Sequence, residues 1–258
     1  MSVLDRFRLD GKVALITGAS SGLGVAFAVA LAEAGADIAL GARRESLLEQ
    51  TSELVRDCGR RCVVVPTDVT RPEDCAALIA EARSTLGRVD VLVNNAGTGG
   101  AVPALREEPE DIIRILMVNV SGAYFMAQAF ARTCVEEKHG GSIVNVSSVL
   151  ALSGSLVPQA AYSASKAALL GLTHDLTMQW SGRYGIRVNA LAPSFFASEM
   201  TSPLIGSEIG MAKVLAHTPM GRIGQAEELT GPLLLLASEA GSYITGVTLP
   251  VDGGWSLH

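Results

Sequence analysis

Short apolar runs recur along the chain, and helical periodicity fills the stretches between them. The runs predict seven strands, at 13–17, 38–42, 62–66, 89–93, 142–146, 187–191 and 248–251. Almost every position in these runs is apolar, as in strands covered on both faces. Helices are predicted at 22–34, 45–58, 73–86, 109–137, 162–183 and 227–238. Pro72 stands at the start of the third, where its missing N–H costs nothing. Strands alternating with helices imply βαβ units, a parallel sheet and right-handed crossovers. No linker, repeat or low-complexity segment interrupts them, so the expected fold is α/β, a doubly wound parallel sheet of about seven strands in a single domain over 1–258. The least regular stretch, 193–218, contains PSFFASEMTSPLIG. It reads equally as a substrate loop and as ordinary packed helices.

Composition narrows the function classes. The chain has 258 residues, 48% of them hydrophobic and 18% charged, which is ample for a core and too apolar for disorder. A net charge of -6, with basic residues scattered apart from Arg43-Arg44 and Arg60-Arg61, argues against a nucleic-acid surface. Charges at Asp5, Arg6, Arg8, Asp10 and Lys12 leave no apolar stretch for a signal peptide. No uninterrupted apolar run reaches about 18 residues, so no membrane span is expected. Cys58, Cys62, Cys75 and Cys134 form no CxxC pair, and the expectation is reduced thiols in a cytoplasmic protein. His139, His174, His217 and His258 lack ligand spacing, so no metal is expected.

Two patterns carry chemistry. The first predicted strand ends in Thr17-Gly18-Ala19-Ser20-Ser21-Gly22-Leu23-Gly24 and runs at once into a helix. A tight turn after a buried strand calls for residues without Cβ, and the N–H groups and dipole of a helix N-terminus attract phosphate. The spacing is GxxxGxG; a plain glycine-rich turn is the alternative, against which the strand-to-helix context weighs. Tyr162 and Lys166 stand at i and i+4 and share one helix face. A phenol normally titrates near pH 10. A neighbouring ammonium lowers that value, which makes the phenol a usable proton donor or acceptor.

Further motifs follow in order: Asp68-Val69, Asn94-Asn95-Ala96-Gly97, Asn119 in MVNVSGAYF, Ser147-Ser148, Tyr162-Ser163-Ala164-Ser165-Lys166, Asn189-Ala190-Leu191-Ala192-Pro193 and the tail ITGVTLPVDGG. Together with TGASSGLG they resemble the short-chain dehydrogenase/reductase family over essentially the whole chain. The resemblance implies a Rossmann-type fold and hydride transfer between a nicotinamide and a carbonyl carbon, without metal. It implies that Gly18, Ser20, Ser21, Gly22, Leu23 and Gly24 cradle the cofactor phosphates. It places Asp68 and Val69 at the adenine and Asn95, Ala96 and Gly97 beside the cofactor. Ser148 would orient the substrate oxygen, with neighbouring Ser147 the alternative. Tyr162 would be the general acid/base, and Lys166 would bond the nicotinamide ribose. Asn119 would hold a water at the end of a proton relay, or else be a satisfied polar core residue. Pro193, Ser194 and Ser198 would lie along the nicotinamide, with Ser194 in place of the family's usual glycine.

Cofactor choice turns on the end of the second strand. NAD-preferring relatives carry an acid there, whereas this chain has Ala42 followed by Arg43. A guanidinium suits a 2′-phosphate, so NADP(H) is expected over NAD(H), although Ser20-Ser21 lacks a basic neighbour in sequence. The expected partner is a small carbonyl or alcohol. Its pocket would draw on Thr98, Val102, Leu150, Leu152, Val157, Gln159, Phe195, Phe196 and Met200. This set is mostly apolar, which favours a neutral ketone or secondary alcohol. The motifs resemble both 3-oxoacyl-carrier-protein reductases and gluconate or glucose dehydrogenases. Arg106, Arg132 and Lys138 are the candidate patch for an acidic carrier protein. Surplus apolar faces on helices 109–137 and 162–183 predict a homotetramer or homodimer. Two rivals stay open: a non-catalytic dinucleotide sensor on this fold, and a sugar-nucleotide epimerase or dehydratase, whose larger C-terminal domain has no counterpart here.

Overall fold

The first strand, β1 (Val13–Thr17), is buried at all five positions and explains the architecture around it. A strand without an exposed face must have a layer on each side. The structure, a computed structural model, describes residues 2–197 and 201–257. Six further strands join β1 in one parallel sheet: β2 (Asp37–Ala42), β3 (Cys62–Pro66), β4 (Val91–Asn94), β5 (Gly141–Val146), β6 (Ile186–Pro193) and β7 (Thr248–Val251). Their spatial order is β3-β2-β1-β4-β5-β6-β7. This is the expected doubly wound α/β sheet. The predicted boundaries shift by a few residues. β4 starts at Val91, and just before it the Asp90 carboxylate accepts the Val13 N–H.

One face is covered by α1 (Leu23–Glu33), α2 (Glu45–Asp57) and α9 (Thr230–Ala237), through Leu31, Leu48 and Leu233. The other is covered by α3 (Pro72–Leu86), α5 (Gly122–Glu136) and α6 (Ala160–Tyr184), through Leu78, Met126 and Leu176. The helix expected at 109–137 is three pieces in line. After α4 (Pro109–Leu116) comes a π turn, Met117–Ser121, before α5. By length and composition, 109–136 is apolar enough to cross a membrane, which a search for uninterrupted apolar runs does not register. Its Met126, Phe130 and Cys134 are core residues of the sheet's flank.

The stretch 193–218 contains two short helices, α7 (Ser202–Ile205) and α8 (Glu208–His217). They sit beside a third apolar cluster: Val149, Leu150, Phe195, Val214 and Trp255. Trp255 packs 4.8 Å from Phe195 and 4.4 Å from His217, ring centre to ring centre. The chain's last turn therefore braces the segment that flanks the site.

Candidate active site

In this order the chain leaves β1 toward β2 on one side, while β4 lies on the other. Crossovers running opposite ways open a crevice at the carboxyl ends of these strands. A cavity of about 650 Å³ lies there. The glycine loop forms its outer floor. Gly18 has φ +66°, and a Cβ on it would stand 2.7 Å from Ala96 Cα. A Cβ on Gly24 would stand 2.8 Å from Asn95 Nδ2. The loop is thus pressed against the turn after β4, where only bare backbone fits.

Asn95 makes that fit. Its Nδ2 donates to the Thr17 carbonyl (3.0 Å) and the Gly18 carbonyl (3.1 Å). In return Thr17 Oγ1 accepts the N–H groups of Asn95 and Ala96, both at 3.1 Å. The expectation placed Asn95 beside the cofactor; the geometry adds that it ties β1 to β4 at their tips.

The outer end of the cleft holds both arginines. Arg43 lines it and helps hold the Asp68 carboxyl low. Burial works to raise Asp68, but the N–H and hydroxyl of Thr70 donate to its Oδ1 and leave it below the usual carboxylate range. Arg44 reaches back over the glycine loop. Its Nη2 donates to Ser21 Oγ (2.7 Å) and Ser20 Oγ (3.2 Å). The cation missing from the loop's own sequence is therefore supplied by the residue after Arg43, a link visible only in three dimensions.

At the inner end, the two serines that follow β5 both line the cavity but are held differently. Ser147 Oγ donates to the Lys166 carbonyl (2.8 Å) and is structural. Ser148 lines the cavity, with its hydroxyl within hydrogen-bonding reach of Tyr162. Lys166 is 4% exposed, and its Nζ donates to the Val146 carbonyl (2.8 Å). Burial lowers its pKa to about 8. The expected lowering at Tyr162 is not what the protein's own groups produce. Burial pushes the phenol up to about 12, with Ser148 opposing. Lys166 Nζ lies 5.7 Å from the ring centre, over the ring.

Asn119 falls within the π turn and is 1% exposed. Its Nδ2 donates to the Thr98 carbonyl (2.8 Å) and Ser165 Oγ (2.9 Å), and its Oδ1 accepts the Thr98 N–H (2.8 Å). Pro193 and Ser194 line the cavity as expected. Ser194 does not need a glycine's backbone, since Lys138 alone among the described non-glycine residues has positive φ. Ser198 and Met200 lie outside the described residues. Of the expected substrate set, Thr98 and Phe196 line the cavity. Leu150 and Phe195 instead pack in the Trp255 cluster. Arg114, which the sequence reading passed over, also lines the cavity and donates to Thr98 Oγ1 (3.1 Å). No local signal links two residues sixteen apart. Arg106 sits in a short turn before α4, whereas Arg132 and Lys138 lie toward the far end of α5, so the three do not form one patch.

Comparison with known proteins agrees with this geometry. The model of a family described as enoyl-(acyl carrier protein) reductase matches residues 18–256. The chain is 39% identical over 256 residues to a 2-dehydro-3-deoxy-D-gluconate 5-dehydrogenase of Dickeya dadantii (strain 3937), covering 98% of each chain. A solved gluconate 5-dehydrogenase from Burkholderia cenocepacia J2315, in complex with NADP and tartrate, is 38% identical with a TM-score of 0.94, covering 100% of both chains. A short-chain type dehydrogenase/reductase from Mycobacterium marinum is 37% identical with a TM-score of 0.94, covering 98% of this chain and 99% of that one. The cradle at the switch point, the serine–tyrosine–lysine cluster and these full-length relatives lead to one assignment: the chain belongs to the short-chain dehydrogenase/reductase family and is an NAD(P)-dependent oxidoreductase of CH–OH and carbonyl groups.

Proposed function

We propose that the chain is an NADP(H)-linked dehydrogenase of polyhydroxy acids and their keto forms, with Tyr162 moving the proton. The observation that carries this reading is Tyr162 itself, set between Ser148 and buried Lys166 at the inner end of a glycine-floored cleft. The cleft suits a dinucleotide, because Gly18, Ser20, Ser21, Gly22 and Leu23 line it at the start of α1, where backbone N–H groups and the helix dipole attract phosphate. When bound, the nicotinamide accepts or supplies the hydride.

The chain's own groups do the rest. The Ser148 hydroxyl holds the substrate oxygen and stabilises charge developing on it. Tyr162 donates a proton to that oxygen or takes one from it. Lys166 stays largely protonated near neutral pH with its pKa at about 8, so its ammonium remains a donor at the inner end of the cleft. The amide of Asn119 is consumed by Thr98 and Ser165, so any water-holding role rests on its main chain. At the outer end, Ala42 stands where an acid would select NAD(H), and Arg43 and Arg44 follow it on the cavity wall, which supports NADP(H) as the preferred cofactor.

The named activities of the relatives support a sugar-acid substrate, and Arg114, paired with Asp111 at 2.8 Å, places a guanidinium on the cavity wall. This replaces the expectation of a neutral substrate. Exposed Ile113, Leu116 and Tyr124 on α4 and α5, and Met178 on α6, support a homo-oligomer paired through these helices. Sedimentation as a stable monomer would overturn that part. Four free cysteines support a cytoplasmic setting.

The test is a panel of D-gluconate, 2-dehydro-3-deoxy-D-gluconate, a neutral alditol and a 3-oxoacyl thioester, each with NADP(H) and NAD(H). A polyhydroxy acid with NADP(H) is expected to turn over best. Tyr162→Phe is then expected to lose about 10²- to 10⁴-fold in kcat. Wild-type turnover in that variant refutes the proton role, and cofactor binding without turnover of any substrate restores the sensor reading.

A further inference from the structure

The loop after the Asn95 turn comes closer to Tyr162 than any side chain would allow. A Cβ built on Gly99 would stand 2.8 Å from Tyr162 Cδ2 and 3.3 Å from Cε2 and Cγ. The backbone of residue 99 therefore rests on the phenol ring. Gly99 is not in the left-handed region, so the demand here is for space rather than for a special conformation. Tyr162 also packs against the apolar cluster around Val149, Leu150 and Trp255. The ring's plane is bounded by that cluster and by the glycine.

The loop is tied to the same tyrosine by a closed circuit of hydrogen bonds. Both polar atoms of the Asn119 amide clamp the main chain of Thr98, with N–H to Oδ1 and Nδ2 to the carbonyl each at 2.8 Å. The same Nδ2 donates to Ser165 Oγ at 2.9 Å. Ser165 Oγ in turn donates to the Tyr162 carbonyl at 2.7 Å. Asn119 and Ser165 are both essentially buried, so neither arm exchanges freely with solvent. A loop clamped from behind cannot retreat when its front face is enlarged.

We propose that Gly99 is a positioning residue for the proton-transferring phenol: its bare backbone, latched by Asn119 and Ser165, is the wall that aims the Tyr162 ring at Ser148. The proposal rests on the reading of Tyr162 as general acid/base. It assigns a second task to the Asn119 side chain, which is to hold this wall. Adding one methyl at position 99 would force a shift of about 0.6 Å, the gap between 2.8 Å and an ordinary contact of 3.4 Å. With the loop clamped, the ring takes most of that movement and its hydroxyl leaves Ser148. Misplacement on the 1 Å scale at a reacting group costs up to about 10²-fold in rate.

The experiment compares Gly99→Ala with Gly100→Ala. A Cβ on Gly100 meets nothing within 4 Å, so that variant adds the same methyl to the same loop without touching the ring. Gly99→Ala is expected to lose about tenfold or more in kcat, with NADPH affinity by fluorescence titration and melting temperature held. Its pH–rate profile is expected to move to higher pH in the limb that reports the phenol, because the Ser148 hydrogen bond that lowers the phenol's pKa is weakened. Gly100→Ala is expected to match wild type on every readout. Wild-type kcat and pH profile in Gly99→Ala overturn the proposal, as does an equal loss in Gly100→Ala. Tyr162→Phe run alongside separates the two ideas: an inactive Tyr162→Phe beside an unaffected Gly99→Ala leaves the mechanism standing and removes only the positioning role.

Discussion

Replacing Arg44 with alanine isolates what the outer end of the cleft reads. The guanidinium is held against the glycine loop, with Nη2 at 2.7 Å from Ser21 Oγ and 3.2 Å from Ser20 Oγ. It therefore presents its charge at a fixed place rather than sweeping through solvent. A hydrogen bond to a charged group contributes about 1.5–3 kcal/mol. Arg43 and Arg44 are both exposed, and solvent screening keeps the figure in the lower half of that range. At about 1.4 kcal/mol per decade, Arg44→Ala should weaken NADPH binding by about 10- to 40-fold. NADH lacks the 2′-phosphate, so its affinity should change by less than about twofold if charge recognition is the cause. The assay is fluorescence titration of each reduced cofactor at low and high salt. Wild-type preference for NADPH should shrink between about 0.05 and 0.5 M salt, and the variant's, which rests on Arg43 alone, should shrink less. Equal losses for both cofactors would refute the reasoning and make Arg44 a prop for the loop. Arg43→Ala is the companion: Arg43 lies beside Asp68, so its removal should let the Asp68 carboxyl rise as well as weaken NADPH.

Two further substitutions test burial and packing. Burial of Lys166 lowers its pKa from 10.5 to about 8, so between those values the unfolded chain binds more protons and stability rises with pH. Lys166→Met should therefore melt a few degrees higher than wild type at pH 7 while losing activity, and the gap should narrow between about pH 8 and 10. Above that, the Tyr162 phenol, pushed up to about 12, works in the opposite sense. A lower melting temperature for Lys166→Met at pH 7 would show that the lost bond to the Val146 carbonyl outweighs the relieved charge. Trp255→Ala opens a void beside Phe195 and His217 and should destabilise the fold by about 3–5 kcal/mol. Thermal melting checks the size. KM for substrate should rise more than KM for cofactor, because the cluster supports Phe195 and α8; the reverse would detach this tail from substrate binding.

The strands were legible because both faces of the sheet are covered, so runs such as 13–16 carry no polar position to blur them. The cradle and the Tyr162–Lys166 pair were legible because their partners lie within one turn of chain. What stayed hidden joins distant segments. Arg44 meets Ser20 and Ser21 across 23 or 24 residues, and Arg114 meets Thr98 across 16. The phenol's pKa was misjudged for a related reason. Spacing brings an ammonium onto its helix face but says nothing of how much protein surrounds the hydroxyl, and burial is the larger influence. Phe195 looked like a pocket residue because aromatic residues in a loop read as exposed. Its neighbour Trp255, sixty positions later, turns it into core.

The π turn at Met117–Ser121 gives the site an unusual kind of address. A π turn is an α-helix carrying one residue too many, and each residue of an α-helix turns the chain by about 100°. Deleting any one residue there would let α4 and α5 fuse into one smooth helix. The extra residue is absorbed within the turn, so α4 and α5 keep their facing on either side of it, with Ile115 in the core and Arg114 on the cavity wall. Part of this site is therefore written in the count of residues as well as in their identity. A substitution across 117–121 changes a side chain and leaves the count untouched, whereas deleting a residue other than Asn119 would close the bulge and change the setting of Asn119 alone, with the flanking faces still in register.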